Sequence, residues 1–533
     1  MKTTIAGLLC LALLAGCTRR GPASTAAAIA DAATGPRQES PQFWREEGQR
    51  ILARMQQPLN TRTRARNVIL FIGDGMGIAT VTAAHILQGQ LRGGTGEENL
   101  LSFERFPSTA LSKTYTTDLQ TSESAGTMSA MMTGVKTRGG SIAVDQVPER
   151  GQCRDVTGHE SVTLLERAED AGMATGVVST ARITHATPAA TYAHVAERDW
   201  EADVNIPAAR AAEGCRDIAR QLAEFSHGDG IDVVLGGGRR FFMTDAQSDP
   251  EDATRMGTRK DGRDLLRAWQ MRYPAGTYVW NTAQFDAIDW ARSGPVLGLF
   301  EPDHMEYDAD RARDIAGEPS LTQMTRAAIT SLRRNERGFF LMVEAGRIDH
   351  GHHAGNAYRA LTDAVELSNA VQAAVDMTTD DDTLIIVTAD HSHTFGMVGY
   401  PGRGNPIFGL VRDENGRLAT DALGLPYTTL AYANGPGYPG ASAEQAEGPK
   451  RFPHAARGVK GVSQGRPRLN AVATDDPDYL QESAVPMGAE SHGGEDVAIF
   501  ARGPGSQWVH GVLEQHTIYW LMQAVLPQLG SAR

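Results

Sequence analysis

Cysteine is scarce in this chain: four residues in 533, at Cys10, Cys17, Cys153 and Cys215. That is too few for a disulfide-built scaffold. An excess of positive charge is also missing. Lys and Arg total 51 against 64 Asp and Glu, a net charge of −13. Such a chain has no broad electrostatic footprint for nucleic acid, so no nucleic-acid partner is expected. Any anion it binds has to be held by local cations or metals. No apolar run reaches the ~20 residues that a membrane-spanning helix needs. There is no fixed-period repeat, and no Gly-x-Ser-x-Gly elbow of a serine hydrolase. What is present is ordinary globular material. Hydrophobic residues at 41% and charged residues at 22% exclude wholesale disorder. The length admits one large α/β domain or about two to four smaller ones.

The N-terminus reads as an export signal. Lys2 supplies a positive start, and residues 5–14 form an apolar run of ten with one Gly and one Cys. The run closes on Leu14-Ala15-Gly16-Cys17, which resembles a bacterial lipobox. Residues 1–16 are then a signal peptide, and Cys17 is the lipidated first residue of the mature chain. An ordinary signal peptide with an incidental Cys17 is the alternative. Residues 17–45 read as the lipidated cysteine and a flexible tether rich in Ala, Gly, Ser, Thr and Pro. A stray helix over 26–33 fits the same stretch. The lipid would anchor an exported protein in the cell envelope, periplasmic or at the outer membrane. Thr18 gives no Asp-type inner-membrane retention signal, which favours the outer membrane. Export leaves Cys153 and Cys215 as an even pair in an oxidising compartment, and one disulfide between them is expected.

Beyond residue 50 short apolar runs alternate with helical patterns. Runs at 68–72, 176–178, 232–235, 339–343, 384–387 and 497–500 suit strands buried on both faces. Helical stretches such as 124–134 and 358–377 lie between them. This alternation predicts an α/β fold with a mostly parallel central sheet flanked by helices. Three of the runs lead directly into polar clusters. Residues 68–72 lead into Gly73-Asp74-Gly75-Met76-Gly77. Residues 339–343 lead into Glu344 and then Arg347-Ile348-Asp349-His350-Gly351-His352-His353. Residues 384–387 lead into Thr388-Ala389-Asp390-His391-Ser392-His393. In open α/β sheets, sites form at the carboxyl ends of strands. Five of the 15 histidines fall in two of these segments, a clustering that bulk surface composition does not produce.

Carboxylates and imidazoles with few thiols suit zinc and magnesium. Asp349 and His353 are four apart and share a face if that stretch is helical. Asp390 and His391 are adjacent and need an irregular turn to converge. A lone Asp or His is usually a cap or a surface group; the whole set is not read that way. Ser124 sits among small residues before an Ala/Met-rich helical pattern. A helix N-terminus there would aim backbone N–H groups and the positive dipole end at a bound phosphate. From this segment alone a capping serine and a nucleophile both remain open.

These stretches together resemble the alkaline phosphatase family, in wording closer to its animal branch. The matching segments are FIGDGMG (71–77), ESAGTMSAMMTGVKT (123–137), RITHATPAATYAHVAERDW (182–200), DVVLGGGRRFF (232–242), GLFEPDHMEYD (298–308), RGFFLMVEAGRIDHGHHAGNA (337–357), TADHSHTF (388–395) and ESHGGEDVAIFARGPGSQWVHGVLEQ (490–515). The resemblance implies one catalytic domain over 46–533 with a small variable insertion at about 397–489. It implies hydrolysis of small phosphate monoesters through a phosphoserine, with broad specificity, two Zn2+ and one Mg2+ per chain, and a homodimer.

Its site residues carry over position by position. Ser124 would be the nucleophile and Arg198 the phosphate clamp. Asp74, Asp390 and His391 would hold one zinc; Asp349, His353 and His492 would hold the other. Asp74, Thr187 and Glu344 would hold magnesium. His185 and His393 would stand behind these ligands. Cys153 and Cys215 fall where the animal branch places a disulfide. Phe300, Glu301, Glu318 and Glu251 fall near an extra Ca2+ site of that branch, with a solvated acidic loop as the alternative. One departure stands out: Glu123 replaces the usual Asp before the nucleophile, and its extra methylene could change how Arg198 sits. Three rivals are separable by assay. A two-metal phosphodiesterase or sulfatase would prefer other esters. A metal-independent serine hydrolase would survive chelation. A dead-core scaffold lipoprotein would lack ligands that are all present here.

Overall fold

The apolar runs become neighbouring strands of one ten-stranded sheet in this computed structural model, which describes residues 40–56 and 59–530. The signal peptide at 1–16, Cys17, the helix over 26–33 and most of the tether lie outside the described residues. Tether residues 41–45 are the exception: they form the start of helix α1 (Pro41–Met55). The strands in chain order are β1 (Asn67–Gly73), β2 (Ser108–Lys113), β3 (Ala174–Arg182), β4 (Val233–Gly237), β5 (Thr277–Val279), β6 (Val296–Leu299), β7 (Phe339–Ala345) and β8 (Thr383–Thr388). They continue with β9 (Ser392–His393), β10 (Phe395–Met397), β11 (Leu430–Gly435), β12 (Ser483–Pro486), β13 (His492–Gly493), β14 (Val497–Arg502) and β15 (Val512–Glu514). The large sheet runs β15-β2-β14-β8-β1-β7-β3-β4-β6-β5. Only β14 pairs antiparallel in it, against β2 and β8.

Both faces of the central strands are covered. In β1, Val68, Leu70 and Ile72 join one apolar cluster, while Ile69 and Phe71 join another on the opposite face. The period of two along a strand produces this split, which is why 68–72 reads as a continuous apolar run. Helices α2 (Ile78–Leu91) and α3 (Ser124–Thr133) and a long helix, Ala357–Met377, supply much of the cover.

Register places the polar clusters. β8, β1 and β7 are adjacent, with Ile72 opposite Thr388 and Gly73 opposite Ala345. The residues just past all three strands therefore emerge at one edge. Within 397–489 the chain contributes β11 and β12 to a three-stranded sheet, β10-β11-β12, and forms no helix among the described residues.

Cys153 and Cys215 form the expected disulfide, with Cα atoms 5.6 Å apart and a sequence separation of 62. Closing a loop of that length restricts the unfolded chain by roughly 4 kcal/mol. Replacing both cysteines by alanine should lower the melting temperature by about 3–5 °C. Differential scanning calorimetry of the double variant is the check, and an unchanged midpoint would contradict it.

Candidate metal centre

The edge beyond β1, β7 and β8 gathers the acidic and imidazole groups. Asp74 follows β1 directly. Gly75 then takes φ +66°, and a Cβ there would lie 2.3 Å from His393 Nε2. Glycine is the residue that allows this approach. Its N–H donates to Asp390 Oδ1 at 3.0 Å, tying the β1 turn to the β8 turn. The stretch after β7 is helical, Arg347–His353, so Asp349 and His353 do share a face. Asp390 sits in a bend after β8, the irregular turn that its adjacency to His391 requires.

Three ligand clusters result. In the first, His353 Nε2 lies 3.3 Å and His492 Nε2 3.4 Å from Asp349 Oδ1, with 3.1 Å between the two imidazole nitrogens. A tetrahedral ion with bonds of about 2.0–2.1 Å requires ligand separations near ~3.3 Å. His353 Nδ1 lies 2.6 Å from the Glu490 carbonyl and His492 Nδ1 2.7 Å from the Ser122 carbonyl. Both Nδ1–H groups donate to carbonyls, which leaves each Nε2 lone pair for a metal. His393 is close too, but both its nitrogens are engaged, Nε2 on Asp349 and Nδ1 on Glu490. Its pKa is pushed up to about 9: burial opposes the charge, and the bonds to Asp349 and Glu490 outweigh it. His393 therefore positions Asp349.

In the second cluster, His391 Nε2 lies 3.5 Å from Asp74 Oδ1, 3.2 Å from Asp390 Oδ2 and 3.3 Å from Ser124 Oγ. All four residues are buried. Burial holds His391 well below the usual imidazole range, so it is neutral and able to ligate. In the third, Thr187 Oγ1 lies 3.5 Å from Asp74 Oδ2, and Glu344 stands beside them. Burial pushes Glu344 up to about 7 and Asp74 well above its usual range; Asp390, Asp349 and Glu344 add to the Asp74 shift. Asp74 Oδ1, Asp390 Oδ2 and Glu344 Oε1 are buried without hydrogen-bond partners. Unpaired buried carboxylate oxygens are costly unless cations meet them. The donors fit the expectation: nitrogen with oxygen in the first two clusters, oxygen in the third. His391 and His492 stack at 3.6 Å between ring centroids, which sets the first two clusters side by side.

Ser124 is the first residue of α3, and the helix is capped by Glu123 instead. The Glu123 carboxylate accepts from Ala125 N–H at 2.9 Å, Gly126 N–H at 2.8 Å and Gly140 N–H at 2.7 Å. It also pairs with Arg198 Nη1. Burial pushes its pKa up, but Arg198 and these N–H groups outweigh burial and hold it below its usual value. The extra methylene thus folds back into a cap and still reaches the arginine. Arg198 Nη2 contacts His185 Nε2 at 3.0 Å. Two of the five guanidinium donors are used in this way among the described residues, and the others are left for a ligand. Glu123→Gln should raise KM for a phosphate ester by ~10-fold with a smaller change in kcat. Steady-state kinetics on the variant tests this; an unchanged KM would contradict it.

The sequence profile of the alkaline phosphatase family matches residues 65–528. The chain belongs to the alkaline phosphatase family. It is 45% identical over 490 residues to the tissue-nonspecific alkaline phosphatase of Gallus gallus, covering 90% of this chain and 88% of that one. It is 44% identical over 491 residues to the alkaline phosphatase of Gadus morhua, covering 91% and 96%. Among solved structures it resembles the alkaline phosphatase of Thermus thermophilus, with a TM-score of 0.59, 26% identity and coverage of 89% and 95%. The enzyme of the Antarctic bacterium TAB5 shares the fold, with a TM-score of 0.56 at 21% identity, covering 87% and 99%. Metal-dependent hydrolysis of phosphate monoesters is the activity of this alkaline phosphatase.

Two features of this alkaline phosphatase escaped sequence reasoning. Glu490 holds His393 by its carboxylate and His353 by its carbonyl. Its position two residues before His492 was the available signal. Asp314 joins the acidic group of Glu251, Glu301 and Glu318. Glu301 and Glu318 are buried, and Phe300 belongs to the apolar core. A solvated loop does not describe that burial. Burial, with Glu251 and Asp314 adding repulsion, pushes Glu301 up to about 8. Burial and Asp314 raise Glu251 to about 7, although Arg239 Nη2 contacts it at 3.1 Å.

Proposed function

We propose that Ser124 is the phosphoryl acceptor of this phosphatase. One observation carries the reading: Ser124 Oγ lies 3.3 Å from His391 Nε2, the atom that Asp74 and Asp390 also approach. We assign zinc to the Asp74/Asp390/His391 and Asp349/His353/His492 clusters, and magnesium to Asp74, Thr187 and Glu344. When bound, such ions stabilise the attacking and leaving oxygens of an in-line displacement and lower the pKa of water to about 7.

The chain's own residues supply the rest. Arg198, anchored by Glu123, orients phosphate oxygens with its remaining N–H donors. Ser124 Oγ gives up its proton to solvent and attacks phosphorus, the P–O bond to the alcohol breaks, the alcohol oxygen takes up a proton from water as it leaves, and a Ser124 phosphoester remains. Water then attacks phosphorus, the P–Oγ bond breaks, and inorganic phosphate and the serine hydroxyl are released. The α3 N-terminus faces the charge that develops. Rates on a phosphate monoester, a phosphate diester and a sulfate ester of one alcohol test the assignment. The monoester should turn over fastest, and a faster diester would overturn it.

Calcium at Phe300, Glu301, Glu318 and Glu251 is part of the same reading. Calcium needs these carboxylates ionised; Glu251 holds its proton to about 7 and Glu301 to about 8, and burial pushes Glu318 well above its usual range. Thermal stabilisation by added calcium should therefore be small at pH 6 and larger at pH 9. Equal shifts at both would contradict the site. Lipidation at Cys17, an envelope location and a homodimer complete the proposal. Labelling by a fatty acid that persists in Cys17→Ala would remove the anchor, and light scattering at monomer mass would remove the dimer.

A further inference from the structure

Beside the metal edge lies an open cavity of about 490 Å3, walled by the loop from Lys113 to Gln120 and by Gly494 and Asp496. We propose that this cavity receives the alcohol half of the ester and takes uncharged, hydroxyl-rich groups, as in sugar and polyol phosphates. The inference rests on the phosphomonoesterase reading above and names its preferred substrate class.

Gln120 precedes Ser124 by four residues, and Gly494 follows His492 by two. The two walls meet next to the reacting groups. A Cβ on Gly494 would lie 2.9 Å from Thr121 Oγ1, and His492 Nδ1 lies 2.7 Å from the Ser122 carbonyl. One turn also braces cavity and clamp together. Gly139 N–H donates to Asp118 Oδ1 at 2.8 Å, Gly140 N–H donates to Glu123, and Arg198 N–H donates to the Gly140 carbonyl at 2.8 Å.

The side chains of Thr117, Gln120 and Asp496 have no hydrogen-bond partner among the described residues. A hydroxyl, an amide and a carboxylate together offer donors and acceptors to alcohols. Leu119, 39% exposed, and Tyr115, 44% exposed, give the same cavity an apolar side for the C–H face of a ring. Charge narrows the class. Asp118 and Asp496 repel a second anionic group. Lys136 Nζ, 3.2 Å from the Tyr115 ring centroid, and Lys113, held 3.0 Å from Glu514, disfavour a cation at that end.

The test compares glucose 6-phosphate with methyl phosphate on the metal-loaded wild type, Gln120→Ala and Asp496→Ala. Both esters release primary alcohols, so their intrinsic reactivity is matched. The ratio of kcat/KM for glucose 6-phosphate to that for methyl phosphate should fall by ~5–10-fold in each variant, mainly through KM. Ratios within about twofold of wild type in both variants overturn the subsite while leaving the phosphatase reading intact. Failure of the wild type to hydrolyse either ester overturns that reading, and the subsite with it.

Discussion

Ser124→Ala should lower turnover of any phosphate monoester by at least ~10³-fold. The Ser124 oxygen lies 3.3 Å from the His391 nitrogen that Asp74 and Asp390 share. Alanine suits a helix interior, and the α3 cap resides on Glu123, so the fold should hold. The two-step path depends on an oxygen at that place. Without it, water would have to attack the ester directly from the same position. The loss should therefore fall on kcat, with inorganic phosphate still binding to Arg198. A variant within about tenfold of wild type would remove Ser124 from the mechanism.

Metal removal is the second large effect. Exhaustive EDTA treatment should cut activity at least ~10²-fold, with recovery on adding zinc and magnesium together. Stability should respond as well. Burial holds Glu344 at about 7 in the metal-free fold against 4.5 as its ordinary value. Below pH 4.5 the folded and unfolded chains both keep the proton. As pH rises from 4.5 towards 7 the unfolded chain releases it freely and the folded chain does not, so stability is lost across that window. Asp74 and Asp390, also raised by burial, act in the same direction. The neutral buried imidazole of His391 acts in the opposite sense as pH rises through its ordinary range, so the carboxylate contribution is read from the difference between the two forms. The gain in melting temperature on metal loading should be larger at pH 7.5 than at pH 5; calorimetry of both forms decides it, and a gain that shrinks as pH rises would contradict the account. Activity that survives chelation would favour a metal-independent hydrolase.

Much of this was legible in the sequence because the central strands are buried on both faces. Residues 68–72, 339–343 and 384–387 had to be continuous apolar runs, and the polar residues just past each run had to surface at one edge. Asp349 and His353 were readable as a pair from helical spacing alone. The short strands Thr277–Val279 and Val512–Glu514 were not, since each is at an end of the sheet and carries little apolar signal. The helix Pro41–Met55, which begins in the stretch read as tether and runs on past it, was hidden because its apolar side chains, Trp44, Ile51, Leu52 and Met55, stay exposed. The roles of Glu123 and Glu490 depend on contacts between distant segments. Glu123 meets Gly140 and Arg198, and Glu490 meets His393 and His353; the place of each beside a site residue is visible in the sequence, but those partners are not.

Acid quenching of the metal-loaded enzyme during turnover, followed by peptide mass spectrometry, tests the central claim most directly. The account predicts a phosphate on the peptide that contains Ser124, in amounts that rise with substrate and vanish in Ser124→Ala. Full turnover with no phosphate trapped on that peptide, at any pH or quench time, would contradict it.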